Sequence, residues 1–149
     1  MNNKLTPERL FSEPALRLEQ PSQYKISPCA NYVSFLRANA QRSQQLDLWL
    51  LDRASQQERC LLNAAAVTDE RDDDVTKLSP AERAERERRR QFTQGVTEYF
   101  WCPHANALVA CIDGQAYYVS VDPSEITRLT DADKRQSAFT ISSNGSYIS

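Results

Sequence analysis

The stretch that decides the fold is ISPCANYVSF (residues 26–35), because variants of it occur twice more in the sequence. The second copy is WCPHANALVA (residues 101–110), and the third is ISSNGSYIS (residues 141–149). Each copy begins on an apolar residue, passes through turn-forming residues and continues as an alternating or apolar strand. A unit of this kind cannot bury both of its faces alone, so such units stack on one another. The repeat therefore predicts a protein built from stacked β-sheet units.

The spacing of the copies indicates the size of each unit. From Pro103 to Ser143 the repeat advances by 40 residues, which is the length of a four-stranded propeller blade. From Pro28 to Pro103 it advances by 75, which is one such period plus an insertion. We therefore predict a mainly β protein that consists of the opening blades of a β-propeller, about two blades and part of a third, each a four-stranded antiparallel sheet.

The segment before the first copy and the insertion complete the predicted organisation. Thr6 and Pro7 have the pattern of an N-cap followed by proline at the first helical position. The predicted order is a lead-in with a short helix (1–20), a first blade (21–62), an acidic loop with an inserted charged helix (63–94), a second blade (95–135) and the start of a third (136–149).

The inserted helix is predicted from a capping box. The sequence SPAE (residues 79–82) places proline at the first helical position and glutamate three residues after the serine. The helix then runs from Pro80 to about Gln91 and consists mainly of Ala, Glu and Arg. Its arginines could contact phosphates. Because glutamates alternate with them, a solvated helix with i,i+4 ion pairs is the preferred interpretation over a nucleic-acid site.

Finer matches support a repeated blade. LLD (50–52) and SVD (120–122) both precede a turn, and RCL (59–61) resembles TRL (127–129) in the next predicted strand. Asp113 and Gly114 lie between two alternating stretches, which is a strong hairpin signal. Together these matches support the propeller interpretation.

Six phrases give the chain a resemblance to a known family: LTPERLFS (5–12), KISP (25–28), LDLW (46–49), LSPAERAERER (78–88), GVTEY (95–99) and WCP (101–103). With these phrases the chain resembles the N-terminal propeller region of the dipeptidyl peptidase IV family of serine peptidases. The resemblance covers nearly the whole sequence, and the charged helix followed by the GVTEY strand is its most diagnostic part. The family's usual Ser-Pro-Asp-Gly turn is degenerate in all three copies, which suggests a divergent member.

The resemblance implies an eight-bladed propeller that caps an α/β-hydrolase domain, with the complete enzyme releasing dipeptides from peptide N-termini. It implies further blades, the hydrolase domain and a peptide substrate as partners, and homodimerisation of the complete enzyme. We expect this chain alone to be non-catalytic, because none of its three glycines flanks a serine in a nucleophile elbow. We also expect it to hold no cofactor. The alternative is a free-standing β-rich interaction module without enzymatic activity.

One substrate contact is implied within this span. The family uses a propeller arginine that reaches the substrate carbonyl, and Arg42 is the nearest candidate. An arginine suits this role because its planar fork donates several hydrogen bonds and keeps its charge. The alternative is a solvated loop arginine, which is the common state of charged loop residues.

Composition excludes several other classes of function. The net charge of −2 gives no general attraction to nucleic acid or anionic membranes. No apolar run approaches the roughly 18 residues of a membrane span. The N-terminus lacks the apolar stretch of a secretory signal, which favours a cytoplasmic protein, or a periplasmic one whose signal has been removed.

The four cysteines and the aromatic residues are the remaining candidates for a site. The cysteine spacings match no zinc or redox motif, so we predict no metal site, although Cys102, His104 and Cys111 could supply three ligands. Buried free thiols are preferred over disulfides in this compartment. The aromatic residues could form a ligand-stacking surface, but packing within and between sheets is preferred for them; they are Trp49, Trp101, Tyr117 and Tyr118.

Overall fold

The computed structural model describes residues 6–10, 20–38, 45–68, 94–131, 139–145 and 147–148. Within these ranges the protein is mainly β, as predicted, with one mixed sheet of eight strands that does not close on itself. The strands are β1 (Ser22–Ile26), β2 (Tyr32–Ala38), β3 (Gln45–Asp52), β4 (Glu58–Leu62), β5 (Gln94–Trp101), β6 (Ala107–Ile112), β7 (Gln115–Ser120) and β8 (Glu125–Arg128).

The sheet consists of two antiparallel groups of four strands each. In the first group β1, β2, β3 and β4 pair in chain order, and in the second group β5, β6, β7 and β8 do the same. The two groups are joined by a short parallel contact in which residues 45–46 of β3 pair with residues 94–95 of β5. Gly95 makes this contact possible: its φ is +91°, and a Cβ on it would lie 2.3 Å from the carbonyl oxygen of Leu46.

Two short helices accompany the strands. The first, α1 (Pro7–Leu10), begins at the proline where the sequence predicts a helix start. The second, α2 (Ala64–Thr68), follows β4 and carries no charged residue. The predicted charged helix, Pro80 to about Gln91, lies outside the described residues, so the only helix described between the two groups is this short one.

One backbone hydrogen bond crosses the turn phrase in all three copies, whereas the φ at the fourth residue of the turn is positive at Ala30 and Gly145 only. Backbone N–H groups cross the turn to the carbonyl five residues later, from Ser27 to Tyr32 at 3.0 Å, from Cys102 to Ala107 at 2.9 Å and from Ser142 to Tyr147 at 2.9 Å. The third copy continues to the bridge between Ile141 and Ile148. The sequence repeat therefore marks a repeated hydrogen-bonded crossing of the backbone, even though the copies share few side chains.

Register corrects one of the finer sequence matches. Tyr32 pairs with Asp52 and the equivalent Ala107 pairs with Ser120, so Asp52 corresponds to Ser120 rather than to Asp122. The alignment of Asp52 with Asp122 that the shared aspartate suggests is wrong by two residues. The match of residues 59–61 with 127–129 is correct, because Leu50 pairs with Arg59 as the equivalent Tyr118 pairs with Thr127.

The core lies between the two groups and continues on the far side of the second. Strand β6 is buried along its whole length. Leu108, Ala110 and Ile112 belong to the larger cluster, which the first group shares through Leu36, Leu48 and Leu50. The alternate residues Ala107, Val109 and Cys111 belong to a second cluster, which includes Phe139 from the third copy. Strand β6 is thus covered on both faces, whereas β8 of the same group is exposed.

Candidate functional site

Arg42, the candidate substrate contact, lies in the connection between β2 and β3, and residues 39–44 are outside the described residues. The structure describes the two strands that carry this connection. Arg37 pairs with Asp47 at its base, whereas the equivalent pair in the second group, Ile112 and Gln115, is closed by the two residues Asp113 and Gly114. The predicted hairpin at Asp113–Gly114 is confirmed by positive φ at both residues. The first group therefore carries a longer connection at this position.

The base of the connection is fixed by Arg37. Its guanidinium carbon lies 4.0 Å from the centre of the Trp49 ring, and one of its nitrogens donates to the Glu58 carboxylate at 2.9 Å. A guanidinium over an indole face is attracted by the ring quadrupole. The Arg37 guanidinium thus contacts both the Trp49 ring and the Glu58 carboxylate. These contacts stabilise the packing of β2 and β3, so Arg37 is not a free binding group for an anion.

Beside Arg37 is a partly apolar surface that we call the outer face of the first group. It comprises Tyr24, Ile26, Val33, Phe35 and Arg37 on β1 and β2, together with Trp49 on β3. The rings of Tyr24 and Phe35 lie 5.8 Å apart at 42°, a tilted aromatic pair. Tyr24 is 62% exposed and Ile26 is 69% exposed. Two large apolar side chains next to each other on one strand are therefore open to solvent.

The opposite face of the first group meets the second group through a polar network. The Trp101 indole donates to the Ser34 hydroxyl at 2.9 Å, and that hydroxyl lies 3.2 Å from the phenolic oxygen of Tyr99. The Tyr99 hydroxyl donates in turn to the carbonyl of Gln23. Because Tyr99 has no exposed surface, these bonds satisfy a phenol that burial would otherwise leave unpaired. Burial also raises the pKa of Tyr99, which keeps the phenol protonated and able to donate.

Lys25 connects the first strands of the two groups, β1 and β5. Its ammonium donates to the carbonyl of Tyr99 and lies 4.7 Å and 4.4 Å from the ring centres of Tyr99 and Phe100. Desolvation lowers the pKa of Lys25, and the nearby charge of Glu98 opposes that shift. Lys25 on β1 thus contacts two aromatic rings and one backbone carbonyl of β5, and these contacts stabilise the packing of the two strands.

Each group also has a buried polar residue at the same repeat position. Asp47 accepts from the backbone N–H of Ala64 at 2.9 Å, and Gln115 accepts from the hydroxyl of Thr130 at 2.6 Å. Both side chains are nearly inaccessible to solvent. They hold the chain where it leaves the fourth strand of each group, which explains why a polar residue is retained inside the sheet.

The cysteines are free thiols, as predicted, but only half of them are buried. Cys102 and Cys111 are buried, whereas Cys29 and Cys60 are exposed. Hydrogen bonding from Ser27 lowers the pKa of the Cys29 thiol, and burial raises the pKa of Cys111 to about 12. His104 lies exposed in the second turn while Cys102 beside it is buried. Among the described residues, no three Cys, His, Asp or Glu side chains converge as metal ligands would.

The predicted role of the aromatic residues in core packing is confirmed for Trp101, Tyr117 and Tyr118. Trp101 packs against the larger core cluster, in which Tyr117 is buried, and Tyr118 packs against the second cluster. Trp49 is covered by Arg37. The sequence reasoning missed the aromatic residue three positions before the first residue of each turn, namely Tyr24, Tyr99 and Phe139. Aligning the three copies slightly further upstream would have found it.

No protein-family model matches this chain. In the part of the chain that the structure describes, neither helix has the length and apolarity that a membrane span requires.

Proposed function

We propose that this chain is the non-catalytic opening part of a substrate-gating β-propeller in a serine peptidase that resembles dipeptidyl peptidase IV. The observation that carries the proposal is the repeated turn, in which three copies close with the same five-residue hydrogen-bonded crossing. Two four-stranded antiparallel groups in chain order, stacked with a third copy, are what neighbouring blades require. The proposal is also supported by the family resemblance of the sequence phrases in the first and second groups.

In this proposal the described residues provide a scaffold. The seam between the groups, built on Tyr99, Ser34 and Trp101, fixes one blade against the next. Arg42 would donate hydrogen bonds to the carbonyl of a bound peptide from a connection whose base is held by Arg37 and Glu58. Further blades and an α/β-hydrolase domain would supply the nucleophile and the site for the substrate amine.

The proposal is tested by removing the native protein from an extract of its source cells with an antibody against this chain. Release of a fluorophore from a dipeptide substrate with proline or alanine at the second position is measured before and after removal. We expect the activity to fall with the protein, and the captured protein to be labelled by a serine-directed fluorophosphonate. Unchanged activity together with an unlabelled captured protein contradicts the peptidase proposal.

The second candidate function is a non-enzymatic interaction module. It is favoured by one specific observation, the exposure of Tyr24 and Ile26 on the outer face of the first group. The size of the native product separates the two candidates. A product several times the mass of this chain, labelled by the fluorophosphonate, supports the peptidase, and a product of the chain's own mass supports the module.

A further inference from the structure

Strand β1 contains a residue whose backbone conformation is unusual for its place in the fold. Gln23 has a φ of +51°, in the left-handed region, which is unfavourable for a residue with a Cβ. Three other non-glycine residues of the described chain have a positive φ, namely Ala30, Gln56 and Asp113, and all three lie in turns between strands. Gln23 lies inside a strand, so the turn chemistry that explains the others does not explain it.

The unusual conformation coincides with a β-bulge. Ser22 pairs with Leu36 on β2. Further along β1, Lys25 pairs with Ser34, so β1 has one residue more than β2 between the two pairs. A bulge whose first residue is left-handed normally has glycine there. The bulge therefore carries a conformational cost at Gln23.

The second group shows the register that β1 would have without this bulge. Positions 23 and 36 of the first group correspond to Glu98 and Cys111 in the second. Glu98 pairs directly with Cys111, and its φ is not in the left-handed region. β5 also has a bulge, but it lies between Val96 and Glu98 and comes before this pair. A first strand of this repeat can therefore place position 23 opposite position 36 with an ordinary backbone.

The bulged register of β1 is held by contacts with β5. The Tyr99 hydroxyl donates to the carbonyl of Gln23, and the Gln23 amide nitrogen donates to the carbonyl of Thr97 at 3.3 Å. Both bonds end on Gln23, so they stabilise the left-handed residue directly. Rotating Gln23 out of this conformation would take an acceptor away from a buried phenol, which is costly.

We propose that residues 22–24 form a strap with two registers, bulged while β5 is docked on them and regular when β5 withdraws. In the regular register Gln23 lies opposite Leu36, as Glu98 lies opposite Cys111 in the second group. The bonds from β5 stabilise the docked state, and release of the left-handed backbone stabilises the free state. By linkage, a ligand or partner that moves β5 releases the strap, and one that holds the strap stabilises the seam. This inference concerns conformation alone and holds whether or not the protein is a peptidase.

The test measures hydrogen–deuterium exchange of residues 20–26 in the protein as its source cells express it, with β6 as the internal reference. Tyr99→Phe removes the hydroxyl that donates to Gln23. We expect exchange of residues 20–26 to become about tenfold faster, the effect of one lost hydrogen bond on an opening equilibrium, and exchange in β6 to change far less. Tyr117→Phe is the matched control, because it removes a phenolic hydroxyl from the same core cluster without removing a hydrogen bond to β1.

Substitutions at Gln23 distinguish a strap with two registers from a contact that is only structural. Gln23 is exposed, so its variants leave the core intact, and both variants below lose the amide bond to Thr97. Gln23→Gly removes the left-handed penalty, so combining it with Tyr99→Phe should restore part of the lost protection. Gln23→Val, whose branched side chain disfavours a positive φ, should speed exchange of residues 20–26 even with Tyr99 intact. The proposal is wrong if Tyr99→Phe exchanges like the parent protein, if Gln23→Gly gives no rescue, or if the glycine and valine variants exchange alike.

Discussion

Tyr24 in the first group and Tyr99 in the second occupy the same place in the repeat, yet one is open to solvent and the other is fully buried. Both residues are tyrosines on the first strand of their group, so the residue type does not explain the difference. What differs is the neighbour, because the first group covers Tyr99 and no described residue covers Tyr24 to the same extent. In a stacked repeat the burial of a side chain is decided by the adjacent unit rather than by its own.

The most direct way to break this comparison is to truncate both rings. For Tyr99→Ala we expect a loss of about 3–5 kcal/mol in the free energy of unfolding, because a buried ring and its hydrogen bonds disappear. For Tyr24→Ala we expect a loss of about 1 kcal/mol or less, mainly the contact with Phe35. Urea denaturation of the two variants measures both values, and equal losses would contradict the burial difference.

The parallel contact that joins the groups can be tested through glycine. A Cβ at Gly95 would collide with the Leu46 backbone, and the φ of +91° is unfavourable for any other residue, so Gly95→Ala should cost at least about 2 kcal/mol. Gly145 is the matched control in the third copy. Its φ is +71°, but the nearest atom would lie 3.5 Å away, so only the conformational cost of about 1–2 kcal/mol remains.

Thermal unfolding of both glycine variants separates these contributions. We expect the midpoint of Gly95→Ala to fall further than that of Gly145→Ala. A Gly95 variant as stable as the parent protein would mean that β3 and β5 do not approach each other at this point.

A smaller effect is expected at the polar seam. Ser34→Ala removes the acceptor of the Trp101 indole N–H and a neighbour of the Tyr99 hydroxyl, at a cost of about 1–2 kcal/mol. Ser55→Ala in an exposed turn is the control and should change stability by less than about 0.5 kcal/mol. Chemical denaturation gives the two values, and a neutral Ser34 variant would show that water replaces the network.

These two regions also show how far the sequence alone could lead. The strands, their order and the Asp113–Gly114 turn follow from local signals, namely alternation, β-branched residues and turn chemistry. The seam does not, because Ser34 and Tyr99 are 65 residues apart and meet only when one group stacks on the other. The exposure of Cys29 and Cys60 likewise depends on which faces find a neighbour. The position of a residue within the repeat is therefore predictable from the sequence, whereas the burial of its side chain is not.

The mildest test of the comparison uses the turns themselves, since Cys29 in the first turn is exposed and Cys102 in the second is buried. The Ser27 hydrogen bond lowers the pKa of Cys29, so more of this thiol is ionised at neutral pH than in an ordinary cysteine. We expect iodoacetamide to modify Cys29 well before Cys102, whose pKa burial raises. Ser27→Ala should raise the Cys29 pKa and slow its alkylation at pH 7.5. Site-resolved mass spectrometry follows both thiols, and faster modification of Cys102 would mean that the second turn opens more readily than the first.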